Sequence, residues 1–299
     1  MIKTVDLTKK FGSFSALDKI NVELQDGAIY GLVGSNGSGK STLLRTIAGV
    51  YYPDGGSLLI DGEPPFDHPF IKEKIFYLPD QPYFFKKANL LEMARFYEGL
   101  YPSFSRERFN HLKSVFPISA TDKIDNMSKG MQRQAALILA LSTSPKYLLL
   151  DEAFDGLDPV MRNVLKSLLI DGIEMGDMTA IIASHNLREL EDLCDHLLLI
   201  HSGKMVIHGE LESIRSQTHK IQAAFKTLPP EIKLAPLEIL KAEKTGSLLQ
   251  MVVKGNIEDI MGHINSLEPI FSEVIEPSLE ELFIYEMEAQ GYDVKAILK

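Results

Sequence analysis

The segment Gly34–Thr42, GSNGSGKST, puts three glycines, one lysine and four hydroxyl side chains into nine residues. It matches the spacing G-x-x-x-x-G-K-[ST], with Gly34, Gly39, Lys40 and Ser41 at the fixed places. Glycines let a chain curl until several backbone N–H groups converge on one anion. The Lys40 ammonium adds a point charge, and a charge-assisted hydrogen bond of this kind contributes about 1.5–3 kcal/mol. Ser35, Asn36, Gly37 and Ser38 complete the loop, and the Ser41 hydroxyl, backed by Thr42, is of a type that ligates Mg2+. The chemistry is a cradle for the phosphates of a nucleoside triphosphate. A flexible Gly/Ser linker is the alternative, but linkers rarely run straight into Gly-Lys-Ser-Thr and an apolar helix. The loop by itself does not separate a kinase, a GTPase and an ATPase.

A second group of chemical residues lies at YLLLDEAFDGLDP, Tyr147–Pro159. An apolar run ending in two acids reads as a buried parallel strand with carboxylates at its C-terminal end, where open α/β sheets bind ligands. Asp151 is suited to hold Mg2+ together with Ser41. Glu152, one position on, is suited to polarise an attacking water, and general-base help of this type is worth roughly 10²–10⁴-fold. A strand end capped by solvated acids is the plain alternative. The phosphate-type loop upstream and the DGLDP that follows argue against it.

These groups need elements to position them. AIYGLV (Ala28–Val33) before the loop reads as a short buried strand. STLLRTIAGV after it reads as a helix with Leu43, Leu44 and Ile47 on one face. Ser128 sits where a helix N-cap belongs, with Met131, Ala135, Leu139 and Ser142 following at helical spacing. TAIIAS (Thr179–Ser184) reads as an apolar strand that delivers His185, for which a core histidine is the default guess.

Bulk properties set the frame. The chain has 299 residues, 45% hydrophobic and 24% charged, as in ordinary globular proteins. Its net charge of −10 lowers the case for nucleic-acid binding, which needs clustered Lys and Arg. One cysteine, Cys194, cannot form an internal disulfide, and MIKTVDLTKKFG lacks a signal-peptide pattern, so a cytosolic setting is expected. No apolar run approaches the roughly 20 residues of a membrane span.

In order along the chain, further segments resemble the ATP-binding subunits of ABC transporters. NMSKGMQRQ (Asn126–Gln134) resembles the family signature, DGLD (Asp155–Asp158) the D-loop, and IIASHNL (Ile181–Leu187) the strand with the switch histidine. YLPDQP (Tyr77–Pro82) resembles the Q-loop and KKFG (Lys9–Gly12) the loop whose aromatic ring stacks on adenine. The resemblance implies that Phe11 stacks on the base, that His185 contacts the γ-phosphate and orients Glu152, and that two subunits pack head to tail. Ser128 and Gly130 of one subunit would then meet the γ-phosphate held by the other. It implies ATP and Mg2+ as cofactors, ATP hydrolysis that drives transport, a second ATPase domain (identical or different) and separate membrane permease subunits. The subunit itself would lie on the inner face of the membrane. Asp80 stands where the family has its glutamine and Gln81 follows, so either could ligate Mg2+. Lys129 and Met131 give the signature a Ser-Lys-Gly-Met form that resembles an exporter subgroup.

The expected architecture is α/β. A P-loop NTPase core spans 1–210, with an edge antiparallel β-region and an inserted helical subdomain at about 82–145. A small C-terminal α+β appendage spans 211–299. In the appendage a hairpin is expected around Thr245–Gly246, and helices at NIEDIMGHINSLE and SLEELFIYEMEAQ, the latter opened by Ser278 and Glu281 as a capping box. Between Lys254 and Lys295 there is no Lys or Arg. The aromatics Tyr83, Phe84, Phe85 and Phe96 mark where a permease helix would dock. The rival is a soluble ABC-type ATPase acting on ribosomes or DNA. A kinase or GTPase lacks support, since no acceptor pocket or NKxD is recognisable.

Overall fold

Residues 1–289, except 177, 228 and 230–233, are described by a computed structural model. The chain divides into two units, Met1–His208 and Gly209 onward. The first begins with β1 (Ile2–Phe11) and β2 (Phe14–Leu24), an antiparallel hairpin. Then come β3 (Ile29–Val33), α1 (Lys40–Ile47), β4 (Gly55–Ile60), α2 (Pro69–Lys72) and β5 (Ile75–Leu78). A helical stretch follows with α3 (Leu90–Leu100), α4 (Arg106–Val115) and α5 (Lys129–Ser142). The chain returns through β6 (Tyr147–Asp151), α6 (Pro159–Glu174), β7 (Thr179–Ser184), α7 (Leu187–Leu190), β8 (His196–His201) and β9 (Lys204–Glu210).

Two sheets organise this unit. One has the order β2-β1-β4, the other β5-β6-β7-β3-β8-β9. β3, β6 and β7 are buried at every residue, because helices cover both faces of a parallel sheet and leave no solvent side for polar alternation. The register matters more than the count. Val33 of β3 pairs with Ser184 of β7, and Asp151 of β6 pairs with Ala183. The residues that follow, Gly34, Glu152 and His185, therefore leave the sheet at one level. Leu43, Leu44 and Ile47 pack α1 onto this sheet, in the same apolar cluster as Leu32 and Leu149.

Local chemistry sets the helix starts. Asn89 and Glu92 form a capping box on α3, and Ser105 caps α4. Ser128 caps α5 by accepting the Met131 N–H at 3.2 Å. Asp158 accepts the N–H groups of Val160 and Met161, with Pro159 in the first turn of α6. α3 and α4 pack against α5, and Met93 on α3 and Phe109 and Leu112 on α4 are buried.

The second unit holds α8 (Leu211–Gln217), β10 (Thr218–Ala224), β11 (Glu238–Thr245), β12 (Leu248–Lys254), α9 (Ile257–Ser266), β13 (Phe271–Ile275) and α10 (Leu279–Ala289). Its antiparallel sheet has the order β11-β12-β10-β13. The β11–β12 hairpin turns at Gly246, where φ is +62°. Ile221, Leu249, Met251 and Val253 make its core with Ile260 and Ile264 of α9. Ser278 and Glu281 exchange hydrogen bonds at the start of α10, at 3.1 and 3.2 Å. Sequence patterning gave no signal for α8, β10 or β13. No helix among the described residues is long and apolar enough to cross a membrane.

Candidate functional site

The loop after β3 curls over the start of α1. The first N–H groups of a helix have no intrahelical acceptors, and here no N-cap side chain takes one up among the described residues, which leaves them for an anion. Gly39, its N-cap, has φ +116°, and a Cβ there would stand 2.6 Å from the Ala16 carbonyl oxygen. Lys40 is buried, and its ammonium donates to the carbonyls of Gly34 at 2.6 Å and Ser35 at 3.2 Å. Burial holds this ammonium below the usual lysine range, against the pull of Glu152 and Asp151. The Ser38 hydroxyl oxygen is buried with no hydrogen-bond partner among the described residues.

At the end of β6, Asp151 is 1% exposed. One of its oxygens accepts the Ser41 hydroxyl at 3.1 Å and the other accepts the Tyr77 hydroxyl at 3.1 Å. Arg45 donates in turn to Tyr77 at 3.1 Å. Burial, with Asp151 beside it, pushes the Tyr77 phenol up to about 12. Among the described residues the side-chain donors to this buried carboxylate are two neutral hydroxyls, while the Lys40 ammonium it attracts is hydrogen-bonded to loop carbonyls instead, so a cation joining the carboxylate would be favoured. Asp151 and Ser41 also offer the hard oxygens that Mg2+ takes, so these residues fit that ion.

Glu152 takes φ +52°, a left-handed conformation that non-glycine residues adopt at a cost of order 1–2 kcal/mol. The turn swings its carboxylate toward β7. There its Oε2 meets His185 Nδ1 at 2.9 Å, and Oε1 lies 4.0 Å from Lys40 Nζ. Burial raises the Glu152 carboxyl above its usual range, although His185 and Lys40 pull it down. Asp155 brings a carboxylate oxygen into the same group, with ligand-type atoms of Glu152, Asp155 and His185 all within 4.8 Å.

Lys40, Ser41, Asp151 and Glu152 share a cleft of about 360 Å³ with Asn36, Gly37, Gly39 and Thr42 of the loop and with Phe11 and Phe14, whereas Gly34, Ser35, Ser38 and His185 do not line it. Phe11 packs edge-on against Tyr51 and is half exposed, while Phe14, its hairpin partner, is more exposed still. Phe14, Tyr77 and Arg45 went unnoticed in the sequence. Only the pairing across a tight hairpin could have pointed to Phe14. Asp80 also lines the cleft, but its carboxylate pairs with Arg133 at 3.2 Å. Gln81 is not brought to the loop: it lines a neighbouring cavity of about 460 Å³ with Lys129, Gln132 and Arg133. Ser128 and Gly130 do not line the loop's cleft within one chain either. Gly130 instead lies against Gly156, where an added Cβ would stand 2.6 Å from the carbonyl oxygen.

A mononucleotide-type loop, a buried carboxylate and a paired Glu–His at the carboxyl ends of adjacent parallel strands are the arrangement of a P-loop NTPase domain. The ABC transporter family pattern matches residues 17–155. The chain is 30% identical over 286 residues to the ABC transporter ATP-binding protein YtrB of Bacillus subtilis, covering 95% of this chain and 97% of that one. It is 32% identical over 214 residues to a probable sulfate/thiosulfate import ATP-binding protein, CysA of Chlorella vulgaris, covering 70% and 91%. A solved ATP-binding subunit of an ABC transporter superimposes with TM-score 0.67 at 25% identity, over 72% of this chain and 92% of that one. The chain belongs to the ABC transporter ATP-binding proteins, whose ATP hydrolysis is coupled to transport.

Proposed function

We propose that this chain binds ATP with Mg2+ in the cleft and hydrolyses it in a pair of such domains, driving export through separate permease subunits at the inner face of the membrane. The observation that carries the chemistry is the 2.9 Å contact between Glu152 and His185 beside Lys40. The N–H groups at the start of α1 and the Lys40 ammonium hold the β- and γ-phosphates. Asp151 and Ser41 are the residues that would hold Mg2+, which, when bound, neutralises charge developing on the phosphates. Water attacks the γ-phosphorus, its proton passes to Glu152, and the bond to the leaving ADP oxygen breaks, giving ADP and inorganic phosphate. His185 Nδ1, at 2.9 Å from Glu152, fixes the carboxylate, and Nε2 at the other side of the ring is left to face the γ-phosphate. Phe11 and Phe14 offer rings for the adenine.

Export is supported by the Ser-Lys-Gly-Met signature around Ser128. The exposed rings of Tyr83, Phe85 and Phe96 suit the docking of a permease helix. Glu152→Gln keeps the shape of the site and removes the base. ATP binding should persist while turnover falls by roughly 10²–10⁴-fold. Full-rate hydrolysis would refute the base assignment. Purification from native membranes identifies the partner, and recovery with ribosomes instead would favour the soluble rival. Reconstitution with that partner gives the direction: cargo moving away from the ATP-exposed face supports export, and the opposite places the chain with the import protein named above.

A further inference from the structure

One buried charge near the site has no part in the chemistry above. Glu189, on α7, is 7% exposed, and its carboxylate takes up three side-chain donors. Oε2 accepts the Ser184 hydroxyl at 3.0 Å, while Oε1 accepts Arg162 Nη1 at 2.8 Å and Asn186 Nδ2 at 3.3 Å. Ser184 and Asn186 are the two residues that flank His185. Ser184 Oγ also accepts the Asn186 N–H at 3.0 Å, which closes the turn around the histidine. Arg162, on α6, reaches the other way. Its Nε donates to the Leu157 carbonyl at 3.1 Å, in the loop that runs from Glu152 to α6.

Glu152 and His185 sit on separate loops, at the ends of separate strands. Their contact survives only if both loops keep their relative position. The Glu189–Arg162 pair is a side-chain tie between those two loops, and its three accepted bonds compensate a charge that would otherwise be costly to bury. We infer that Glu189 and Arg162 are positioning residues, holding His185 against Glu152 from behind. The inference rests on the proposed part of Glu152 and His185 in hydrolysis.

A double-mutant cycle in the full-length chain tests it. Glu189→Gln keeps the size of the side chain but drops its charge. It should lower kcat by about 10- to 100-fold, as expected when a reacting group is misplaced by an ångström or less, with KM for ATP little changed. In a His185→Ala background the same substitution should cost less than about twofold, because the group it positions is already gone. Arg162→Gln, at a more exposed position, should behave alike and carries the cycle if the Glu189 variant does not fold. A full repeat of the loss in the His185→Ala background would reduce the pair to general stabilisation and overturn the inference. So would wild-type kcat in both single variants. Unchanged kcat in His185→Ala alone would instead remove the histidine from the chemistry, a separate failure that takes the inference with it.

Discussion

Glu152 shows how much one residue's setting decides. A carboxylate next to water is a weak base with a pKa near ~4.3. Here burial raises the carboxyl, and the His185 contact and Lys40 oppose that rise. The general base proposed for Glu152 would work only when ionised, so activity should fall as pH drops through this raised value. The acid limb of kcat/KM for ATP should therefore lie above the ordinary glutamate value of about 4.3. Removing the imidazole deletes a group that lowers the pKa, so residual activity of His185→Ala should show the limb at higher pH still. A pH–rate profile of the two proteins checks both signs. A limb that stays put in His185→Ala would mean that the ring does not govern this carboxyl.

The elements bring the groups together by register. With Val33 beside Ser184 and Asp151 beside Ala183, three loops open at one level of the sheet. The loop after β3 adds a demand of its own, since at Gly39 both the positive φ and the 2.6 Å approach to Ala16 exclude a side chain. Gly39→Ala should cost about 1–3 kcal/mol of stability. It should also weaken ATP binding well beyond Gly37→Ala, whose Cβ meets nothing within 4 Å. Denaturant melts and titration with a fluorescent ATP analogue read the two effects, and equal behaviour of both variants would show that the close approach is unimportant. Much of this was legible beforehand. Strands buried on both faces are unbroken apolar runs, and the loop's spacing is tied to backbone geometry, so β3, α1, β6 and β7 stood out with their site residues. β13 did not, because an edge strand with Phe271 and Val274 exposed has no apolar alternation to detect. Tyr77 and Arg45 were hidden for another reason: Tyr77 reaches Asp151 only because neighbouring strands pair across some seventy residues of chain, and Arg45 joins by reaching Tyr77 from α1. The setting of Asp80 was hidden too, since Arg133 holds the Pro79 carbonyl at 3.0 Å and engages Asp80, a contact no local pattern encodes.

For the whole molecule the open side of the cleft is the decisive feature. Loop, Asp151 and Glu152 line it, yet the N-terminus of α5, with Ser128 and Gly130, does not. That helix end carries partial positive charge and N–H groups fit for a phosphate. The Ser128 hydroxyl oxygen accepts the Met131 N–H, so its proton is left to donate. In the proposed head-to-tail pair this donor set would stand over the partner's γ-phosphate, and the nucleotide would become part of the interface. ATP should therefore act as the glue. The Glu152→Gln protein, which holds ATP without splitting it, should double its mass in sedimentation when Mg-ATP is added and return to single copies with ADP. Adding Ser128→Arg, which blocks the helix end without touching the cleft, should leave ATP binding intact and abolish the doubling. If that double variant still pairs as readily, the contact runs through some other surface, and the two sites do not close over shared nucleotide.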